Sequence, residues 1–367
     1  MLTDGRRGAR LNALCPYYTM FPLSFPQRHL KPATAGGWVL DPFCGRGTTN
    51  LAARVKGLGS IGVDVSTVAA AIARAKFAYA SPAEVSSVCD RILRSRPPAT
   101  APTGEFWELC YHPKTLADLA RLRDALLEDC RGDARILLRA VLLGILHGPE
   151  NPQTPTYLSN QMPRTYATKP ASAVNFWRQR AKRPRYVEVA SAVRRRAEYS
   201  LQRMPTPVPG EVVQADSRGM NFASLGKPFR WVITSPPYFQ MNTYVPDQWL
   251  RAWFVGGPAT VDYSSNHQLG MGTPDVFTDS LAAVWKGVAE ACVPGAHLHV
   301  RLGSLPSNPS DPRGILRTSI ARSEAPWRIR SLRRAGDAGM GKRQATQFGR
   351  KLGRAVEEFD LHATLDG

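Results

Sequence analysis

The sequence predicts an α/β protein: a Rossmann-like, mostly parallel sheet carrying a largely helical, basic insertion. Short apolar runs alternate with helical patterns at both ends of the chain, which is how βαβ units read. The alternation stops over residues 81–210 and resumes at Glu211. A third observation sits after the first apolar run. Asp41-Pro42-Phe43-Cys44-Gly45-Arg46-Gly47-Thr48-Thr49 has an acid and two closely spaced glycines, where a strand would turn into a helix beside a bound nucleotide.

Composition narrows the class of partner. The 367 residues are 43% hydrophobic and 21% charged, a globular balance with length for one elaborated domain or two. No apolar run approaches the roughly 20 residues of a membrane span, and no signal-peptide core opens the chain, so a cytoplasmic protein is expected. The 48 Lys+Arg against 29 Asp+Glu leave a net charge of +19, which calls for a polyanion, nucleic acid rather than membrane. Cys15, Cys44, Cys89, Cys110, Cys130 and Cys292 are scattered without a C-x-x-C pair, which argues for a reducing compartment and no metal. His297 and His299 alternate in a strand pattern and read as packing or surface residues rather than ligands.

Taken in order, residues 1–14 read as a loose basic arm. Cys15–Pro26 is aromatic and proline-rich, which forbids a regular helix and makes a shaped loop against a ligand plausible. Trp38–Leu40 is the first strand and Thr48–Lys56 the first helix, closed by Gly57 and Gly59. Ser60–Val63 is the second strand, ending in Asp64. An acid there, about 20 residues past the glycine turn, is placed to hold a ribose diol. Ser66–Tyr79 reads as an Ala-rich helix. Within the insertion, Ser87–Arg94, Pro113–Leu127 and Asp133–Leu146 are helical, their leucines at core spacing. Gly148–Pro170 reads as loop. Lys169–Arg203 is the most basic stretch, with Phe176, Trp177, Tyr186 and Tyr199 interleaved, a mixture suited to phosphate contact and base stacking.

Beyond Glu211, Val212–Ala215 is a strand ending at Asp216, and Trp231–Ile233 one ending at Thr234-Ser235-Pro236-Pro237-Tyr238. Helix Ser280–Ala291 and strands His297–Leu302, Trp327–Leu332 and Glu358–Leu365 complete the pattern, with a basic loop at Gly341–Gly349. Polar residues thus end strands one to four, and in an open parallel sheet those tips form the ligand crevice. The first turn lacks the lysine of a triphosphate cradle, so the ligand is nucleoside-like without an essential phosphate. The two prolines after strand four offer rigid carbonyl acceptors, Ser235 a hydroxyl, and Tyr238 a ring to stack on a planar base.

These motifs resemble motifs I and IV of the S-adenosylmethionine-dependent DNA amino-methyltransferases, the Ser-Pro-Pro-Tyr form being typical of the cytosine-N4 branch. Tyr18-Thr19-Met20-Phe21-Pro22 resembles motif X, Asp64 the motif II acid and Asp216 the motif III acid. The resemblance spans about residues 15–80 and 210–365 and implies a seven-stranded methyltransferase sheet. It is silent over 81–210, read as an insertion with target recognition as its candidate role, between the two parts of the methyltransferase domain at 1–80 and 211–367. Many such enzymes place motif IV before motif I; here the order is X, I, II, insertion, III, IV.

The resemblance further implies S-adenosylmethionine bound by Thr19, Met20, Phe21, Pro22, Asp41, Phe43, Gly45, Gly47, Thr48, Asp64, Val65, Ser66 and Asp216. Ser235, Pro236, Pro237 and Tyr238 would hold the exocyclic amine of a flipped base. The partner it implies is double-stranded DNA, and the basic stretch and the basic loop are where contact is expected, through Arg178, Arg180, Lys182, Arg183, Arg185, Arg194, Arg195, Arg196, Lys342 and Arg343. A cognate restriction endonuclease acting on the same site is compatible with such an enzyme, and no metal or membrane is. Cytosine-N4 leads as target, adenine-N6 is the alternative and an RNA base the third, because a flipped-base pocket does not itself distinguish the polymers.

Overall fold

The computed structural model describes residues 8–17, 21–34, 36–97, 99–149, 156–162, 169–240, 244–261, 272–304, 310–337 and 357–367. The chain enters through α1 (Ala9–Asn12) and α2 (Ser24–His29), then runs β1 (Trp38–Asp41), α3 (Thr48–Lys56), β2 (Gly59–Asp64) and α4 (Thr67–Arg74). The insertion contributes α5 (Pro82–Ser95), α6 (Glu105–Cys110), α7 (Pro113–Glu128), α8 (Asp133–Ile145), α9 (Pro170–Gln179) and α10 (Val189–Ser200). There follow β3 (Gly210–Gln214), β4 (Phe229–Thr234), α11 (Tyr244–Phe254), α12 (Pro274–Glu290), β5 (Cys292–Gly303), α13 (Pro312–Arg322), β6 (Trp327–Asp337) and β7 (Glu357–Leu365).

All seven strands join one sheet in the order β3-β2-β1-β4-β5-β7-β6, with only β7 antiparallel to its neighbours. This is the Rossmann-like methyltransferase sheet that the sequence predicts. The order reverses between β1 and β4, and the crevice at such a switch point is where an open α/β sheet binds its ligand. Val39 and Leu40 are fully buried, as a central parallel strand covered on both faces requires. α12 and α13 cover one face through Trp285, Leu281, Leu316 and Ile320. α2 and α3 lie on the other against Val39, Trp231 and Ile233. No helix among the described residues is long and apolar enough to cross a membrane.

Two expectations are corrected at the N-terminus. Residues 8–14 are no loose arm: Leu11 and Leu14 are buried, and Arg46 and Lys76 donate to the carbonyls of Asn12 and Leu11. The proline-rich segment does form a helix, α2, because Pro26 falls in its first turn, where the missing N–H has no intrahelical partner to lose.

The insertion's helices share one core with α1, α4 and α11. Phe106, Trp107, Trp177, Trp249 and Trp253 pack there in tilted and edge-to-face pairs, so the buried side chain of Trp177 is core and offers no stacking platform. In the basic stretch, α10 turns Val189, Ala192, Val193 and Ala197 inward and leaves Arg194, Arg195, Glu198 and Tyr199 outside.

Candidate active site at the strand tips

Asp41 ends β1 at the switch point and is completely buried. Its Oδ1 accepts from the Thr234 hydroxyl at 2.6 Å and from the Phe43 amide at 3.1 Å, while Oδ2 is buried with no partner. Burial raises its pKa from 3.8 to about 6. A buried carboxylate oxygen without a donor is expensive, and a cationic amine is the group that would satisfy it. Thr234 is the last residue of β4, so this bond ties the two tips flanking the crevice directly together.

Asp64, at the end of β2, accepts from the Gly45 amide through Oδ2 and from the Ser66 amide through Oδ1, both at 2.9 Å. Burial pushes its pKa to about 6 as well. Each oxygen keeps a further lone pair, so a vicinal diol can still be held. Val65 beside it is 57% exposed, an apolar surface left open next to a polar anchor. Ser66 caps α4, its hydroxyl accepting from Ala69.

The two glycines divide their work. Gly45 has φ +51, and a Cβ there would meet nothing within 4 Å, so the turn faces open space where a ligand would approach. At Gly47, with φ +78, a Cβ would meet Ala73 at 3.1 Å and Lys76 Cγ at 2.9 Å. Its absence lets α3 start against α4. Phe43 meets Trp285 edge-on, and buried Thr48 accepts from Arg46 Nε while donating to Asn12 Oδ1. Thr48 thus anchors α1 to the turn. Cys44 is buried against Gly62.

Asp216 follows β3 on the surface, gripped by Arg218, whose Nη2 donates at 2.5 Å and Nε at 3.0 Å. That fork lowers its pKa. The neighbouring Ser217 hydroxyl reaches back to the Pro42 carbonyl and closes the floor between β3 and the first turn. Phe21 and Pro22 are half-buried, Phe21 edge-on to Phe25 of α2. Thr19 and Met20, with Tyr18, lie outside the described residues, as do Lys342 and Arg343.

At the β4 tip, Ser235 and Pro237 are half-buried and Pro236 is buried. Tyr238, expected to stack on a base, is 9% exposed; its hydroxyl donates to Glu358 Oε1 at 2.7 Å. Its ring lies over Gly303, where a Cβ would come within 2.9 Å of it. Behind it, Arg301 forks onto Asp360 with both bonds at 2.7 Å and stands 3.8 Å from Glu358. Sequence reading missed Gly303, Arg301, Glu358 and Asp360. The available signal was a polar residue at every second position of the final strand, Glu358, Asp360, His362 and Thr364, between Phe359, Leu361, Ala363 and Leu365.

The predicted nucleic-acid residues differ in their contacts and in their exposure. Arg178 forks onto Glu105 with Nη2 contacts of 2.5 and 2.7 Å, and Arg196 donates to the carbonyls of Ala13 and Leu14. Arg180 lies 4.2 Å and Lys182 5.7 Å from the Phe176 ring centroid. Arg194 is 3.9 Å from Asp90, and Arg183, Arg185, Arg194 and Arg195 are exposed. Tyr186 and Tyr199 are exposed too, under Lys114 and Arg10 respectively.

Comparison with known proteins bears on the cofactor half. The profile of the N6/N4 methyltransferase family, described as DNA methylase, matches residues 5–75. No curated protein matches the sequence. Among solved structures, the chain resembles the rRNA methyltransferase aviRa from Streptomyces viridochromogenes at 16% identity and a TM-score of 0.37. The match covers 98% of this chain and 91% of that one. TrmN from Thermus thermophilus matches at 10% identity and 0.38, covering 98% and 53%. An rRNA methylase from Streptococcus thermophilus matches at 7% and 0.37, covering 96% and 100%. The profile match ends just past α4, so it takes in Asp41, the glycine turn and Asp64 and leaves the rest of the chain unmatched by it.

Proposed function

We propose that the protein is a site-specific DNA methyltransferase acting on the N4 amine of a flipped cytosine. The observation carrying this reading is the Thr234–Asp41 bond, which sets Ser235–Tyr238 beside an unsatisfied buried carboxylate. S-adenosylmethionine supplies an electrophilic methyl on sulfonium. Asp41 Oδ2 would take its amine, the open turn at Gly45 would admit it, Asp64 would take the ribose hydroxyls, and Val65 would lie against the adenine. Phe21 and Pro22 would line the methionine end. Asp216 is bound to Arg218, so its contribution near the adenine is made with that pair intact.

Ser235 and the Pro236 carbonyl would accept hydrogen bonds from the target amine and orient its nitrogen toward the methyl donor; on transfer the amine would lose one proton and the donor would leave as S-adenosylhomocysteine. Pro237 holds the acceptors rigid. Catalysis is then positioning plus acceptor electrostatics, with no covalent enzyme intermediate. The basic outer face of the insertion would meet the DNA backbone. A restriction endonuclease acting on the same site fits this reading as a partner.

Adenine-N6 is the second reading, because the same acceptors suit either exocyclic amine. An RNA base is the third. Incubating the protein with duplex DNA and labelled cofactor, then identifying the modified nucleoside, tests all three. N4-methylcytosine is expected; N6-methyladenine alone, or label confined to RNA, overturns the assignment.

A further inference from the structure

One face of the β5–β7 pair is polar along its whole length. Gly303, Arg301, His299 and His297 on β5 stand opposite Glu358, Asp360, His362 and Thr364 on β7. Near the strand tips the ladder is ionic, through Arg301 and Asp360. One step further from the tips it consists of imidazoles. Residues two apart on a strand share a face, and the residue directly across an antiparallel pair joins them, so His297, His299 and His362 are brought together by register alone.

The ring nitrogens fit a shared ion. One from each of the three lies within 4.8 Å of the others, and His297 Nδ1 is 3.1 Å from His362 Nε2. Two imidazole nitrogens on a tetrahedral zinc ion, each about 2.0–2.1 Å from the metal, stand roughly 3.3 Å apart. That pair therefore already has ligand spacing. His299 Nδ1 is buried without a hydrogen-bond partner, and so is Nε2 of His29, which stacks on His299 from α2 at 3.9 Å. His297 and His362 are half-buried, which gives an ion a way in.

We propose that His297, His299 and His362 form a three-imidazole site for a divalent transition ion of the zinc class, mid-sheet and separate from the strand-tip crevice. Imidazole donors favour zinc, copper, nickel or cobalt over magnesium or calcium. The bound ion cross-links β5 and β7. A nitrogen lone pair lies in the ring plane, and His299 now stacks on His362 at 4.4 Å with planes 15° apart. Coordination therefore tilts His299 out of that stack.

The test reads binding, independent of methyl transfer. The full-length protein is stripped of metal by chelator, then titrated with Zn²⁺ in a calorimeter and with Co²⁺ by absorption. One ion per chain is expected, with nitrogen-only cobalt bands, no thiolate charge-transfer band and a higher Tm with zinc. His297→Ala and His362→Ala each weaken binding by at least roughly tenfold, whereas His29→Ala leaves it within about twofold because that ring only stacks. Absence of stoichiometric binding shows a stacked histidine column on Trp231 and nothing more, and overturns the proposal. So does a thiolate band, or unchanged binding in the H297A/H362A double variant. The wild-type cobalt spectrum decides even where a variant fails to fold.

Discussion

Asp41 concentrates the chemistry of the crevice in one side chain. Its carboxyl and that of Asp64 ionise near pH 6 rather than 3.8, chiefly because they are buried. Their contribution to stability is therefore fully present below pH 3.8 and lost as pH rises through about 6. Cofactor binding runs the opposite way, since a cationic amine needs the carboxylate. Calorimetry with S-adenosylhomocysteine is expected to show affinity falling about tenfold per pH unit below pH 6. Asp41→Asn keeps an acceptor for Thr234 but removes the charge. It should weaken that ligand roughly 10–100-fold, from an ionic hydrogen bond of about 1.5–3 kcal/mol, without lowering the Tm of the ligand-free protein at pH 8. A parallel loss of Tm would make Asp41 a structural residue.

Tyr238 is the other residue whose role depends on its surroundings. Glu358 and Gly303 fix its ring, so Glu358→Ala is expected to lower kcat on the order of tenfold while cofactor affinity stays within about twofold. Glu358→Gln, which retains an acceptor, should recover most of that rate. Equal losses in both parameters would place Glu358 in folding rather than in positioning.

Among the elements, α3 does more than follow the cofactor turn. Its Arg54 is buried and donates to the carbonyls of Lys76, Ala78, Pro205 and Thr206. It thereby joins the end of α4 to the segment returning from the insertion. Arg54→Leu leaves those carbonyls without a donor and should cost about 2–4 kcal/mol in urea denaturation. A change below about 0.5 kcal/mol would mean that water replaces the guanidinium. α2 and α10 show how local rules need positional reading. Pro26 is compatible with a helix only in its first turn, and α10's arginines are the outer face of a packed helix rather than a uniformly solvated run.

For the whole molecule, the excess of positive charge has a measurable consequence. Arg183, Arg185, Arg194 and Arg195 are exposed on the insertion. Each that neutralises a DNA phosphate adds about 0.9 to the slope of log affinity against log salt. Replacing Arg183 and Arg185 by alanine should lower that slope by roughly 1–2 and weaken binding to all duplex sequences alike. An unchanged slope would move the DNA-contacting face elsewhere. Arg178 and Arg196 are poor choices for this test because Glu105 and the Ala13 and Leu14 carbonyls already hold them.

The sequence by itself determined the strands, the glycine turn after β1 and the acids at the strand tips, because these follow from local periodicity and turn chemistry. Helix Thr48–Lys56 was legible to the residue, and Asp41, Asp64 and Ser235–Tyr238 were named from their positions at strand ends. Only the tertiary structure decided what depends on distant segments meeting. The unsatisfied oxygen of Asp41, the seat of Tyr238 on Gly303 and Glu358, and the burial of Trp177 all require partners far along the chain. The histidines make the contrast sharpest. His297 and His299 were visible as an alternating pair, but His362 joins them only because β7 runs antiparallel beside β5. Strand order and register arise from packing the whole sheet, and no local stretch of sequence carries them.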